Sequence, residues 1–273
     1  MKRHLTTATL LSVAVVVALA GCSASTADSG AGSGTAALDD SLSSVLESGT
    51  LTVGTEGTYR PFSFHADGSG DLTGYDVEVA KAVADELGVK VTFEETQWDA
   101  IFAGLEAGRF DTIANQVSIT PERQKSYEFS TPYTYSTGVI VVPEDNTDIT
   151  SFESLAGKTT AQSLTSNWNT LATESGATVQ GVEGWAQSVA LVEDGRVDAT
   201  INDKLTYLDY KKQTGAAGLK IAAETDDRSE SAFAFAQGGT ALADAVSDAL
   251  ATLSEDGTLA SISDTYFGAD VSK

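Results

Sequence analysis

Apolar and polar positions alternate or recur along the first third of the chain in a pattern that predicts a βαβαβ unit. Residues 51–55 (LTVGT) alternate as a strand does, and from Val77 the apolar positions Val77, Ala80, Val83, Ala84 and Leu87 recur at helical spacing and stop at Gly88. A strand over 89–93, a helix over 98–107 closed by Gly108, and a third strand over 110–114 (FDTIA) complete the unit. That order implies parallel strands joined by right-handed crossovers.

Further on, the spacing predicts strands over 139–143, 158–162 and 219–222. It predicts short helices over 151–157 and 167–174, the second capped by Ser166, and a helix after Asp203. Residues 233–236 (FAFA) read as a strand returning to the first part of the fold. A helix capped by Thr240 then carries the stripe Leu242, Ala245, Val246, Ala249, Leu250 and Leu253, and a last helix runs over 259–266 to Gly268. The chain also echoes itself. WDAIFAGLEAGRFDTIANQ, from Trp98 to Gln116, matches WAQSVALVEDGRVDATIND, from Trp185 to Asp203, at an offset of 87 with Trp, Gly-Arg, Asp and Asn in register. Two lobes of similar plan follow: an α/β fold hinged by two crossing strands, with lobe 1 over 40–137 and 234–273 and lobe 2 over 138–233.

The stretch NQVSITPER, 115–123, starts where an apolar strand ends. Asn115, Gln116 and Ser118 are expected near a sheet's carboxyl end, where open α/β sheets hold ligands. Thr120-Pro121 reads as the start of a helix, which would set Arg123 in its first turn. The helix dipole disfavours a cation there, and a bound anion would explain one.

Composition fixes the address. Lys2 and Arg3, an apolar run over 10–20 and then LAGC at 19–22 read as a signal peptide over 1–21. Cys22, the only cysteine, falls where the bacterial lipobox carries its lipidated cysteine, and 22–39 is a Ser/Gly/Ala-rich linker. The expected location is the outer face of the cell membrane, held by lipid on Cys22. Removing Lys2 and Arg3 from the 16 basic residues, against 39 acidic ones, lowers the net charge from −23 to −25. Nucleic acid is therefore not an expected partner.

GTYRPFSF at Gly57, GYDVEVAKAVADELG at Gly74 and SITPERQKSYEFSTPY at Ser118 resemble signature stretches of the extracellular solute-binding family 3, the amino-acid-binding components of ABC importers. The resemblance spans residues 51–267 and implies a two-lobed fold of the periplasmic-binding-protein type II. Such a fold closes on an amino acid and delivers it to a membrane permease. By chemistry, a free amino acid needs a cation for its carboxylate and an anion for its ammonium. The resemblance gives the carboxylate to Arg123 with Ser118, and to Thr165 and Ser166 of the second lobe. It gives the ammonium to Asp203, side-chain contacts to Tyr59, Trp98 and Asn202, and pocket positions to Glu56 and Gln116. Asp203 is also placed to cap the helix that follows it.

Three positions depart from the family pattern. SLTS at 163–166 lacks the usual Gly-Thr, Asn115-Gln116 replaces small residues, and Glu56 stands where several relatives carry aspartate. NQVSIT with AQSLTSNW resembles the cystine-binding branch, so cystine is the favoured ligand of a monomeric binding protein. Alternatives are a ligand-sensing component for a signalling partner and an enzyme like the cyclohexadienyl dehydratases. His65, the one histidine after the signal peptide, sits in a Gly/Asp loop without a nucleophile constellation, so no catalytic residue is expected. Neither a metal nor a cofactor is expected, because the acids form no EF-hand loop and no His/Cys ligand spacing occurs.

Overall fold

The computed structural model describes residues 39–215 and 218–273. The expectations for the signal peptide, Cys22 and the linker as far as residue 38 lie outside those residues. Helix α1 (Ser41–Ser48) leads into β1 (Thr50–Thr55). A small antiparallel sheet follows, formed by β2 (Thr58–Tyr59), β3 (Ser63–His65) and β4 (Leu72–Thr73). Then come α2 (Tyr75–Glu86), β5 (Lys90–Glu95), α3 (Trp98–Glu106), β6 (Thr112–Ser118), β7 (Tyr127–Phe129) and β8 (Thr134–Ser136). The second lobe holds β9 (Gly138–Pro143), β10 (Thr159–Gln162), α4 (Asn167–Glu174), β11 (Thr178–Gly181), α5 (Trp185–Glu193), β12 (Thr200–Asp203), α6 (Lys204–Thr214) and β13 (Leu219–Glu224). The chain returns through β14 (Ser229–Ala236) and ends on α7 (Thr240–Glu255) and α8 (Thr258–Phe267).

Lobe 1 is built on the sheet β5-β1-β6-β14-β7, with β8 also pairing β14. β5, β1 and β6 run parallel and β14 runs against β6. In lobe 2, β10 and β11 pair in parallel, β12-β9-β13 is antiparallel, and a Thr160–Ala199 bridge joins the two sets. The strand order β11-β10-β12-β9 thus repeats β5-β1-β6-β14, and the 87-residue echo is one visible part of a repeat that extends through each lobe. The two crossings lie side by side: Ser136 pairs Ser229, Gly138 N donates to Thr225 Oγ1 at 3.0 Å, and Thr225 N donates to the Gly138 carbonyl at 2.8 Å. Gly138 sits against Trp168, whose Cζ3 would lie 2.5 Å from a Cβ at that position, so a side chain there would have to displace the indole.

Each lobe has its own core. Leu51, Val53, Val79, Ala80, Val83, Phe233, Phe235 and the α7 residues Leu242, Val246, Leu250 and Leu253 form the largest cluster. Burying such side chains supplies the main driving force for each lobe. On α7 Ala243 is buried in addition to Ala249 of the expected stripe, whereas Ala245 of that stripe is only half-buried.

Several expected boundaries move, each for a local reason. The strand expected over 110–114 starts at Thr112 and continues through Ser118, because its polar residues find buried partners within lobe 1. Asn115, Gln116 and Ser118 are therefore strand residues themselves. No α-helix follows Thr120. Its Oγ1 accepts from Arg123 N at 3.2 Å and caps a single 3-10 turn at Arg123–Lys125, too short to carry the dipole invoked for Arg123. Residues 153–155 likewise form one 3-10 turn. Thr240 is the first residue of α7 and does not cap it. The free N–H groups of Ala241 and Leu242 are taken by Asp39 Oδ2 at 2.5 Å and Ser41 Oγ at 3.1 Å, which fastens the start of α1 to that helix. β14 begins four residues before the FAFA run.

Candidate functional site

Where the carboxyl ends of β1, β6, β10 and β12 face each other, the two lobes enclose a cavity of about 300 Å³. Lobe 1 contributes Glu56, Thr58, Tyr59, Gln97, Trp98, Asn115 and Gln116 to its wall. Lobe 2 contributes Gln162, Ser163, Ser166, Asn167, Trp168, Glu183, Gly184, Trp185, Ala186, Gln187, Ser188 and Asn202. Trp98 and Trp185, equivalent in the repeat, begin α3 and α5 and are each 8% exposed. Asn115 and Asn202, equally related, lie on β6 and β12 and line the cavity.

The polar groups of lobe 1 are held by partners distant in sequence. Asn115 Oδ1 accepts from Thr55 Oγ1 at 3.0 Å and from Glu56 N at 2.9 Å, while its Nδ2 donates to Glu56 Oε2 at 2.6 Å. Glu56 borders the cavity, and its removal from bulk water raises its pKa to about 7 against the pull of that amide. Gln116 occupies the left-handed region at φ 51° where β6 bulges against β14. Asp76, fully buried on α2, takes Gln116 N at 2.8 Å and Nε2 at 2.6 Å. Burial lifts Asp76 to about 7. Trp98 Nε1, Gln162 Nε2 and Gln116 Oε1 are buried without a protein hydrogen-bond partner. Among the described residues, no Lys, Arg or His lines the cavity, although Glu56 and Glu183 do.

The lobes also bond directly. The Tyr59 hydroxyl donates to Asn202 Oδ1 at 2.8 Å and accepts from Thr206 Oγ1 at 3.1 Å. The Tyr59 ring packs against core residues of both lobes. Gln97 Nε2 donates to Glu183 Oε2 at 2.7 Å, and Arg60 Nε meets Asp209 Oδ2 at 3.5 Å.

Of the residues picked from sequence, Glu56, Tyr59, Trp98, Gln116, Ser166 and Asn202 come together on the cavity wall; Ser118, Arg123, Thr165 and Asp203 do not line it. Arg123 Nη1 donates to the Ser118 carbonyl at 2.9 Å, and its guanidinium carbon lies 5.2 Å from the ring centroids of Trp98 and Phe102. Its Nη2 is buried without a partner, and burial pulls its pKa down to about 10. Ser118 Oγ pairs with Ser229 Oγ at 3.1 Å. Asp203 caps α6 by accepting from Leu205 N at 2.8 Å, and it takes a hydrogen bond from Ser136 Oγ at 2.7 Å. Burial raises it to about 6. Ser166 caps α4 by accepting from Asn169 N at 3.1 Å, and Thr165 bonds to Asp99.

Sequence reasoning left out Thr58, Gln97, Gln162, Ser163, Asn167, Trp168, Glu183, Gly184 and residues 186–188, took Trp185 no further than the repeat, and set Asn115 at the ligand-holding end of a sheet without naming it as a contact. The echo itself held the signal for those two: Trp185 is the partner of Trp98, and Asn115 the partner of Asn202.

The chain matches the bacterial extracellular solute-binding proteins, family 3, over residues 51–269. It is 50% identical over 269 residues to the L-cystine-binding protein TcyA of Bacillus subtilis, covering 97% of each chain. Among solved structures, it resembles the L-cystine solute receptor of Neisseria gonorrhoeae in the unliganded open conformation at 47% identity and a TM-score of 0.57, covering 85% of this chain and 98% of that one. An ancestral arginine-binding protein bound to arginine is 36% identical but superposes better, with a TM-score of 0.75 over 81% of this chain and 99% of that one. The lower score against the more identical, open chain accords with the direct lobe–lobe bonds seen here, which a separated cleft would not make. This chain belongs to the bacterial extracellular solute-binding proteins, family 3.

Proposed function

We propose that this protein captures an amino acid, with cystine as its preferred ligand, in the cavity between its lobes and delivers it to an ABC permease. The observation that carries the reading is a cavity walled by Trp98 and Trp185 from opposite lobes that bears carboxylates without a lining cation. Such a site asks its ligand for positive charge and for hydrogen-bonding groups that answer Trp98 Nε1, Gln162 Nε2 and Gln116 Oε1. The cystine-binding relative and the cystine receptor support this choice of ligand.

In this reading Arg123, which makes no ion pair among the described residues, clamps the ligand carboxylate together with Ser118, and Asp203 answers the ammonium. Tyr59, Trp98 and Asn202 contact the side chain beside Glu56 and Gln116, and Ser166 and Thr165 edge the site from lobe 2. Lobe 1 comprises residues 40–137 and 234–273, and lobe 2 residues 138–233. Lipid on Cys22 would hold this monomer outside the cell after removal of residues 1–21. Binding without turnover is the activity proposed, and closure shifts an existing equilibrium between open and closed forms.

A thermal-shift panel of the common amino acids and cystine tests the reading, because a ligand that binds the native state raises the unfolding midpoint. Cystine should give the largest rise. A flat response across the panel, or consumption of a candidate ligand with release of product, would overturn it.

A further inference from the structure

The loop at 163–166 is held by its own lobe. Ser166 N and Oγ both donate to the Ser163 carbonyl, at 3.1 and 2.7 Å, and Asn169 Nδ2 donates to the Leu164 carbonyl at 2.7 Å. This fixes the N–H groups of Leu164 and Thr165 and the Thr165 hydroxyl as donors at the lip of lobe 2, an arrangement suited to a carboxylate. The carboxylate that takes them belongs to lobe 1. Asp99 Oδ1 accepts from Thr165 N at 3.0 Å and from Thr165 Oγ1 at 2.8 Å, and Asp99 Oδ2 lies 3.4 Å from Leu164 N. Asp99 stands in the first turn of α3, where the helix end favours a negative charge. Its neighbours in that turn are Trp98, on the cavity wall, and Gln97, bonded to Glu183 of lobe 2. The cavity tryptophan is thus flanked in sequence by two residues that hold the lobes together.

We infer that Asp99 is a positioning residue for capture: its carboxylate takes the lobe 2 donors that a ligand carboxylate would otherwise claim, and so secures the closed form over Trp98. The inference rests on the binding function proposed above and refines it. The donors of Thr165 serve closure, and the ligand carboxylate is left to lobe 1.

A latch that acts only in the closed form slows escape and leaves encounter alone. Stopped-flow tryptophan fluorescence with L-cystine should show the Asp99→Ala variant releasing ligand about tenfold faster at an unchanged association rate, the effect of losing about one charge-assisted hydrogen bond. Thr165→Val should speed release less, and the double variant should do no worse than Asp99→Ala, because both act through one contact. Three results would overturn the inference: release unchanged in Asp99→Ala; tighter binding in that variant, as expected if the ligand needs the freed donors; or a full added cost of Thr165→Val in the Asp99→Ala background. Should the wild-type chain not bind cystine, the ligand assignment fails, and the same release measurement with whichever amino acid most raises the unfolding midpoint decides the latch: faster release from Asp99→Ala supports it, and equal release refutes it.

Discussion

The Tyr59 hydroxyl and the Asn202 amide oxygen, 143 residues apart in sequence, lie 2.8 Å from each other across the two lobes. Asn202 Oδ1 also accepts from Asp203 N at 2.7 Å, so one amide oxygen ties the end of β12 to the other lobe. Replacing Tyr59 with Phe keeps the ring and removes the tie, leaving Thr206 Oγ1 without its acceptor. We expect a loss of about 1–3 kcal/mol, the cost of stranding a buried polar group, felt in the closed form. Titration should show weaker ligand binding, while the core of each lobe melts nearly as before.

Asp76 holds Gln116 in its left-handed conformation through two hydrogen bonds from the same residue. In Asp76→Asn a donor must face one of the two Gln116 donors, so one bond is lost and the bulge loosens. Chemical denaturation should register about 1–3 kcal/mol of lost stability, together with reduced ligand affinity because Gln116 lines the cavity.

The pH dependence follows from Glu56. Its folded pKa of about 7 lies above its ordinary value of 4.5, so in that interval the native state binds more protons than the unfolded chain. Its contribution to stability is full below about pH 4.5 and is lost as pH rises through 7. Thermal unfolding at pH 5 and pH 8 should therefore show wild type losing ground to Glu56→Gln as pH rises. Ligand binding should show the opposite trend, since an ammonium favours the ionised carboxylate. Affinity measured from pH 5.5 to 7.5 should rise in wild type and rise less in the variant, where Asp203, raised to about 6, still titrates.

Gly138 gives a steric prediction. A Cβ there would meet Trp168 Cζ3 at 2.5 Å, and Trp168 is a cavity residue. Gly138→Ala should displace the indole at a cost of about 1–3 kcal/mol of stability. The displacement should appear as altered tryptophan fluorescence and weaker binding.

Periodicity made the parallel unit β1-α2-β5-α3-β6 legible, because each helix buries one stripe and each stops near a glycine. It ended β6 too early because Asn115 and Gln116 are polar, and their partners Glu56 and Asp76 are local only in the fold. It invoked a helix dipole for Arg123 because Thr120-Pro121 looks like a helix start, whereas the chain makes one 3-10 turn and re-enters the sheet at Tyr127. The capping of α7 by Asp39 and Ser41 was hidden for the same reason, since some 200 residues separate those groups. Trp98, Gln116 and Asn202 were readable because the repeat and the family resemblance both marked them, and Glu56, Tyr59 and Ser166 because the resemblance did. Glu183 and Gly184 carry no motif, and residues 185–188 were marked only as the start of the second repeat copy, so the segment joins the site through the placement of α5.

The central claim is that one amino acid is held between the lobes with its carboxylate on Arg123. Calorimetric titration of L-cystine into the wild-type protein and into Arg123→Ala, with unfolding midpoints recorded for both, tests it most directly. The account predicts one ligand per chain for wild type and no measurable heat of binding for the variant at a nearly unchanged midpoint. Equal affinity in the two proteins, or no binding by wild type, would contradict it.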